Sequence, residues 1–341
     1  MRLAVLTEKP FVPRNAALYV QQAFPGMELD FLVCWPFGLY APPMPRGLAW
    51  RDYPHIAPFD SDRFTWRKHT SFPEPLAGRL APDGTLRLVA SRSTFAERLR
   101  DADGVLALLE PGSQVYHADV VLRQIRGHGL VRGWTRFLYS FEPTALKTAV
   151  SGQQAHEDAL AARLVAHGEV RHYFDHQFSV NSVAVLAKTL GESAWISKYQ
   201  IQTLFLIARH GSLSEAQVLQ RMHHWTGTGR YPREGSASDL GLGSARSRHV
   251  IVDQMVARGW LDRHAVIGEK PMWQVTLSSR GALVLLKLHP GCEDADLPFR
   301  LHAWAEEGLA ASRPAMDRYI RTFFGRQKRF AAQYASKKPA P

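Results

Sequence analysis

Short apolar runs alternate with amphipathic stretches over the first 140 residues, and that alternation leaves the chain few folds to choose from. "RLAVLT" (2–7) and "GVLALLE" (104–110) are almost unbroken apolar segments, as strands buried on both faces must be. "LDFLVCWP", "TLRLVA" (85–90) and "GWTRFLYS" read as further strands. Between them, "RNAALYVQQAF", "STFAERLRDA" (with Ser93 as its N-cap) and "SQVYHADVVLRQIRGHG" carry helical spacing. Parallel strands need crossover helices, so this half is expected to be an α/β layer with a mostly parallel sheet. Residues 36–75, rich in proline and aromatics, are expected to form a long ordered loop.

Beyond Glu142 the pattern turns helical, through "PTALKTAVS" and the long "HEDALAARLVAHGEVRHYFDHQFSVNSVAVLAKTL". The spacing places a domain boundary near 150, giving an α/β domain over 1–150 and a mainly helical domain over 151–341. Within 196–288, "SKYQIQTLFLIARHG", "SLSEAQVLQRMHHW" (capped by Ser212 or Ser214) and "SARSRHVIVDQMVARG" predict three helices. "WLDRH" and "MWQVTL" bracket a turn, and "SSRGALVLLKL" predicts a closing helix. Three helices and a two-stranded wing describe a winged helix-turn-helix.

The 341 residues carry 42 Lys+Arg against 31 Asp+Glu, a formal net charge of +11. The excess is concentrated near the end. From 313 to 338, Arg313, Arg318, Arg321, Arg326, Lys328, Arg329, Lys337 and Lys338 face one acid, Asp317. Tyr319, Phe323, Phe324 and Phe330 are interleaved with them, and bases plus aromatics are the usual currency of nucleic-acid binding. Cys34 and Cys292 suggest no disulfide framework, the apolar run 3–6 is too short for a secretory signal, and no run approaches a membrane span. A cytoplasmic protein without membrane partners is therefore expected. His172 and His176 have the i, i+4 spacing of zinc ligands, but no third ligand is visible, so a structural role is expected and no metal site is assigned.

Several stretches, taken in order, resemble the type IA DNA topoisomerases, in particular the topoisomerase III branch. "MRLAVLTEKP" is similar to that family's opening strand and Glu-Lys-Pro-Ser turn, and "WPFGLYAPPMPRGLAWRDYPHIAP" to the segment that follows. "LRDADGVLALLEPG" stands where the family has its acidic signature. "WTRFLYSFEPTALKTAV", "RHYFDHQFSVNSV", "SKYQIQTL", "LSEAQVLQRM" with "GLGSARSRHVIVDQMVARGWL", and "VTLSSRGALVLLKLHP" resemble later family segments. The fold implied is a TOPRIM-like α/β domain followed by a helical domain with a winged helix, similar to domain IV of the family.

Two departures shape the function implied. The family motif Asp-x-Asp-x-Glu holds magnesium, whereas "EPGSQVY" here leaves Glu110, Gly112 and Tyr116 at those positions. Glu8 and Glu110 are the two surviving acids and the candidate catalytic pair; magnesium is implied only if activity remains, and no other cofactor is expected. Between the matches at 202–203 and 214–216 the family carries the arch with its nucleophilic tyrosine; ten residues, 204–213, bridge that gap here. "RYPRE" (230–234) is read as a chance tripeptide around Tyr231. The resemblance thus implies a non-cleaving DNA-binding protein that clasps single-stranded DNA in a basic groove between its domains. It would work with a protein partner in a larger replication, mobile-element or defence assembly. Its DNA contacts by resemblance are Lys9, Arg171 with Asp175 bracing it, Gln202, Thr203, Ser244, Ser247 and Arg248, to which Arg246 and His249 add charge. Two alternatives stay open: a metal-dependent TOPRIM nuclease or split topoisomerase subunit using Glu8 and Glu110, and a winged-helix reader of duplex DNA.

Overall fold

The computed structural model describes residues 1–34, 75–152, 157–192, 195–231, 240–243, 247–266 and 272–336. The expected loop 36–75 (75 apart) and the family-like segment 35–58 lie outside the described residues. The chain divides between Glu169 and Val170 into two compact units.

The first unit follows the expected alternation with one strand, β3, that the sequence pattern does not suggest: β1 (Arg2–Thr7), α1 (Phe11–Ala23), β2 (Glu28–Val33), β3 (Leu76–Arg79), β4 (Val89–Ala90), α2 (Arg92–Asp101), β5 (Gly104–Leu109), α3 (Ser113–Arg126), β6 (Thr135–Phe137) and α4 (Pro143–Val150). The strands form one six-stranded sheet in the order β4-β3-β2-β1-β5-β6. β1 runs parallel to both β2 and β5, with Val5 opposite Phe31 and Leu106, and β5 runs parallel to β6. β3 and β4 are antiparallel additions at one edge, so the sheet is mixed but mostly parallel.

Strand period two divides the apolar side chains between two faces. Ala4, Leu6, Leu32, Ala107 and Leu109 pack with Phe95 and Leu99 of α2 and Val115, Ala118 and Leu122 of α3. Leu3, Val5, Phe31, Leu106 and Leu108 pack with Val12, Ala16 and Val20 of α1 and Leu146, Ala149 and Val150 of α4. Helices therefore cover both faces, which is why β1 and β5 show no polar alternation.

Local boundaries differ from expectation in two places. Ser91, not Ser93, caps α2: its backbone is extended and its hydroxyl accepts from the Thr94 amide. Only Val89–Ala90 of 85–90 joins the sheet, because Asp83 ties Thr85 into a turn by accepting from its amide (2.9 Å) and hydroxyl (2.7 Å).

The second unit is mainly helical. α5 (Asp158–Asn181) contributes its residues from Val170 onward and passes into a π-helical stretch, Ser182–Ala187, and α6 (Lys188–Leu190). There follow α7 (Lys198–His210), β7 (Leu213–Ser214), α8 (Glu215–His223), α9 (Arg248–Ala257), β8 (Leu261–Val266), β9 (Met272–Leu277), α10 (Ser279–Lys287), α11 (Leu297–Glu307) and α12 (Leu309–Ser336). Ser197 with Gln200, and Ser214 with Gln217, form reciprocal capping boxes on α7 and α8, which selects Ser214 over Ser212. β7, β9 and β8 make a three-stranded antiparallel sheet, one strand more than the sequence suggests. Gly281 lets α10 approach that sheet's entry, since a Cβ there would lie 2.0 Å from the Trp260 carbonyl oxygen. Among the described residues no helix is long and apolar enough to cross a membrane.

Asp30 anchors the mixed edge of the first unit. Its side chain is fully buried on β2 and accepts from Arg79 Nε of β3 (2.8 Å) and Arg98 Nη1 of α2 (3.1 Å). Removing Asp30 takes away the acceptor that Arg79 and Arg98 share, although both arginines keep access to water and Arg79 also pairs with Glu28. Asp30→Ala is expected to lower unfolding free energy by about 1–2 kcal/mol, read from urea denaturation; a loss below about 0.5 kcal/mol would contradict this anchoring role.

Candidate functional site

In an open α/β sheet, ligands sit at the carboxyl ends of the strands where the connections reverse direction. Here β1 connects towards β2 and β5 towards β6 on the other side, so the reversal lies between β1 and β5. Glu8 follows β1 and Glu110 follows β5, which brings the two sequence-predicted acids to that point. Lys9 comes with them. Its ammonium donates to Glu110 Oε1, with the two side chains only 19% and 15% exposed. The same ammonium lies 5.9 Å from the Phe11 ring centroid and 5.4 Å from that of Phe141, contacts that hold the cation in place. Next to this edge the Cys34 thiol is pushed up by burial and, secondarily, by the charge of Glu8.

This donor set does not fit a magnesium centre of the implied kind. Magnesium wants converging oxygens, and here one of the two carboxylates already neutralises an ammonium. Gly112 brings no side-chain donor. Tyr116 is buried, with burial pushing its phenol up, and it packs so tightly on Gly168 that a Cβ there would lie 2.2 Å from its own. No catalytic step through a metal follows from these residues.

The second unit separates the other predicted residues into interior and surface groups. Gln202 is interior: its amide donates to the Cys292 carbonyl and accepts from the Asp294 amide, both at 2.9 Å, so it fixes the turn before α11. Thr203 is fully buried beside it on α7. Asp175 is exposed, but its partner is Lys198 of α7 rather than Arg171, which is half-buried. The i, i+4 brace is therefore replaced by a bond between helices 23 residues apart, which no local spacing reveals. Ser244 and Arg246 lie outside the described residues. Ser247 precedes α9 and is partly exposed, and His249 is exposed.

Arg248 opens α9 and is only 8% exposed. Its Nε is buried without a hydrogen-bond partner, no described carboxylate pairs with it, and burial lowers its pKa. The guanidinium lies over Gly241, close enough that a Cβ there would be 2.7 Å from Nη2. A desolvated cation at a helix N-terminus, where backbone amides also point outward, is set to receive an anion.

The basic tail is helical, and its aromatics do not act as the interleaving suggests. Phe323 and Phe324 are buried and pack on Phe178 (centroids 5.3 and 5.0 Å), while Tyr319 lies 5.8 Å from Phe174. They pack into the core of the second unit, leaving Arg318, Arg321, Arg326, Lys328 and Arg329 exposed. Tyr231 accepts a hydrogen bond from Arg300 Nε (3.1 Å), and Arg300 is also paired with Asp294. No family model matches this chain, and no curated protein matches it.

His172 and His176 are buried chiefly at the expense of their charged forms. Burial lowers both from 6.5 to about 4; Asp175 partly opposes this at His172, and His172 reinforces it at His176. The unfolded chain then binds more protons between those values, so stability is full above pH 6.5 and falls as pH drops towards 4. Urea midpoints measured across that range are expected to decline, and the decline should flatten in the His172→Gln/His176→Gln double variant. An unchanged pH slope in that variant would refute the assignment.

Proposed function

We propose that this chain is a DNA-binding protein of the type IA topoisomerase kind, which holds single-stranded DNA without cutting it. In this reading the first unit is TOPRIM-like, and residues 198–287, whose described residues form helices α7 to α10 and a small antiparallel sheet, are a winged helix. The observation that carries it is Arg248. A nearly buried guanidinium with no carboxylate paired to it among the described residues is costly to keep, and a phosphate at the start of α9 would offset that cost with charge-assisted hydrogen bonds. Ser247 and His249 flank it with a hydroxyl and an imidazole.

Chemistry is set aside for a physical reason. The Lys9 ammonium occupies Glu110, Gly112 and Tyr116 supply no carboxylate, and the chain has ten residues where the family carries its nucleophile. Such a protein would serve a larger DNA-processing assembly in which a partner supplies strand chemistry. Duplex reading through α9 is the weaker alternative, because its outward residues His249, Val250, Asp253 and Gln254 include no arginine or lysine and one acid. Major-groove readers rely on such donors.

Fluorescence anisotropy with a labelled single strand and its duplex, over a salt series with and without Mg²⁺, tests the reading. Salt-sensitive, metal-independent binding that favours the single strand is expected. Arg248→Gln should weaken it by about tenfold (about 1.4 kcal/mol) and reduce the salt slope by about 0.7. A duplex preference, or an Arg248→Gln protein that melts like wild type and binds like it, would overturn it.

A further inference from the structure

α12 carries a cationic face that packing does not account for. Arg318, Arg321, Arg326, Lys328 and Arg329 are all exposed, and none forms an ion pair among the described residues. At about 100° per residue they fall within an arc of about 160°. Met316, Ile320, Phe323, Phe324 and Gln327 occupy the opposite side and are buried. After Asp317 the helix contains no acid, and Asp317 itself is engaged by the Tyr173 hydroxyl (2.6 Å). A face kept merely for solubility mixes both signs, because like charges one turn apart repel. Arg318 with Arg321 and Arg326 with Arg329 are two such uncompensated pairs.

Gly325 lies at the centre of this arc, deep inside a 28-residue helix. Glycine there costs about 0.5–1 kcal/mol relative to alanine. The fold does not require it: a Cβ at that position would meet only Arg329 Nη1, at 3.6 Å, an ordinary contact. With Thr322 beside it, Gly325 leaves a low saddle between Arg318 and Arg321 on one side and Arg326 on the other. Glycine at such a point allows a ligand backbone to approach closely.

We propose that this face of α12 is a track for the phosphate backbone of single-stranded DNA, with Gly325 as its point of closest approach; the proposal rests on the DNA-binding reading above. From Arg318 to Arg329 the helix rises about 16 Å, the length of about five nucleotides at the stacked rise of about 3.4 Å. One narrow helix face meets one phosphate row, whereas a duplex presents two. An anionic membrane is the less suitable partner, because a surface-lying helix needs apolar side chains free to enter the lipid, and Met316, Ile320, Phe323 and Phe324, which run beside the cationic face, are in the core.

The test compares the full-length protein with three variants, Arg318→Gln/Arg321→Gln/Arg329→Gln, Gly325→Leu and Arg248→Gln, after thermal melting confirms that each is folded. The triple variant should bind a labelled single strand about tenfold more weakly or worse and reduce the salt slope by about 2. Gly325→Leu should melt no lower than wild type yet bind about tenfold more weakly with every charge retained. If Arg248→Gln loses affinity while the triple variant keeps wild-type affinity and slope, the track is refuted and the DNA-binding reading stands. If the wild-type protein binds no single strand at any salt concentration, both fall. Loss of binding to phosphatidylserine vesicles in the triple variant with DNA binding unchanged would also overturn the proposal, by assigning the face to lipid.

Discussion

Burial of β1 on both faces is the constraint from which the first unit follows. Leu3 and Val5 fill one layer and Ala4 and Leu6 the other, so helices must cover the sheet on both sides. The crossover through α1 then carries the chain from β1 to β2, and the one through α3 carries it from β5 to β6 in the opposite direction. That geometry fixes where the strand ends meet, and hence where Glu8, Lys9 and Glu110 are gathered. The site is a consequence of topology before it is a matter of chemistry.

Electrostatics decides what becomes of that gathering. A carboxylate pair at such an edge attracts a cation, and this chain supplies one internally. The Lys9 ammonium is held by Glu110 and by the faces of Phe11 and Phe141, a preorganised partner at a high local concentration. The second unit shows the converse arrangement. Among the described residues, Arg248 is kept largely out of water with no carboxylate paired to it, and the outer face of α12 gathers cations with no acid after Asp317. Elsewhere in the second unit arginines do find internal partners, as Arg258 and Arg280 do in Glu192 and Arg300 does in Asp294.

Where sequence periodicity and burial agree, the elements could be read directly. β1, β5, α3 and the capping boxes of α7 and α8 are local matters, set by apolar spacing and by hydroxyl and amide side chains three residues apart. One failure is local: Ser91 took the cap of α2 because its backbone was already extended after β4. The others are non-local. Asp175 paired with Lys198 instead of Arg171, and Gln202 turned inward to the chain at Cys292 and Asp294. The partners of Asp175 and Gln202 are distant in sequence and close only after packing.

The sequence by itself determined the alternation of strands and helices, the mostly parallel sheet, the location of Glu8 and Glu110 at strand ends, and the excess of arginine near the C-terminus. These follow from properties carried by each residue and its near neighbours. Tertiary structure alone decided that Lys9 would neutralise Glu110, that Arg248 would be buried with no described carboxylate paired to it, and that Phe323 and Phe324 would enter the core while the arginines flanking them in sequence stayed outside. A charged or aromatic side chain has the same composition whether it faces water or the interior. Which it faces depends on what the rest of the chain packs against it.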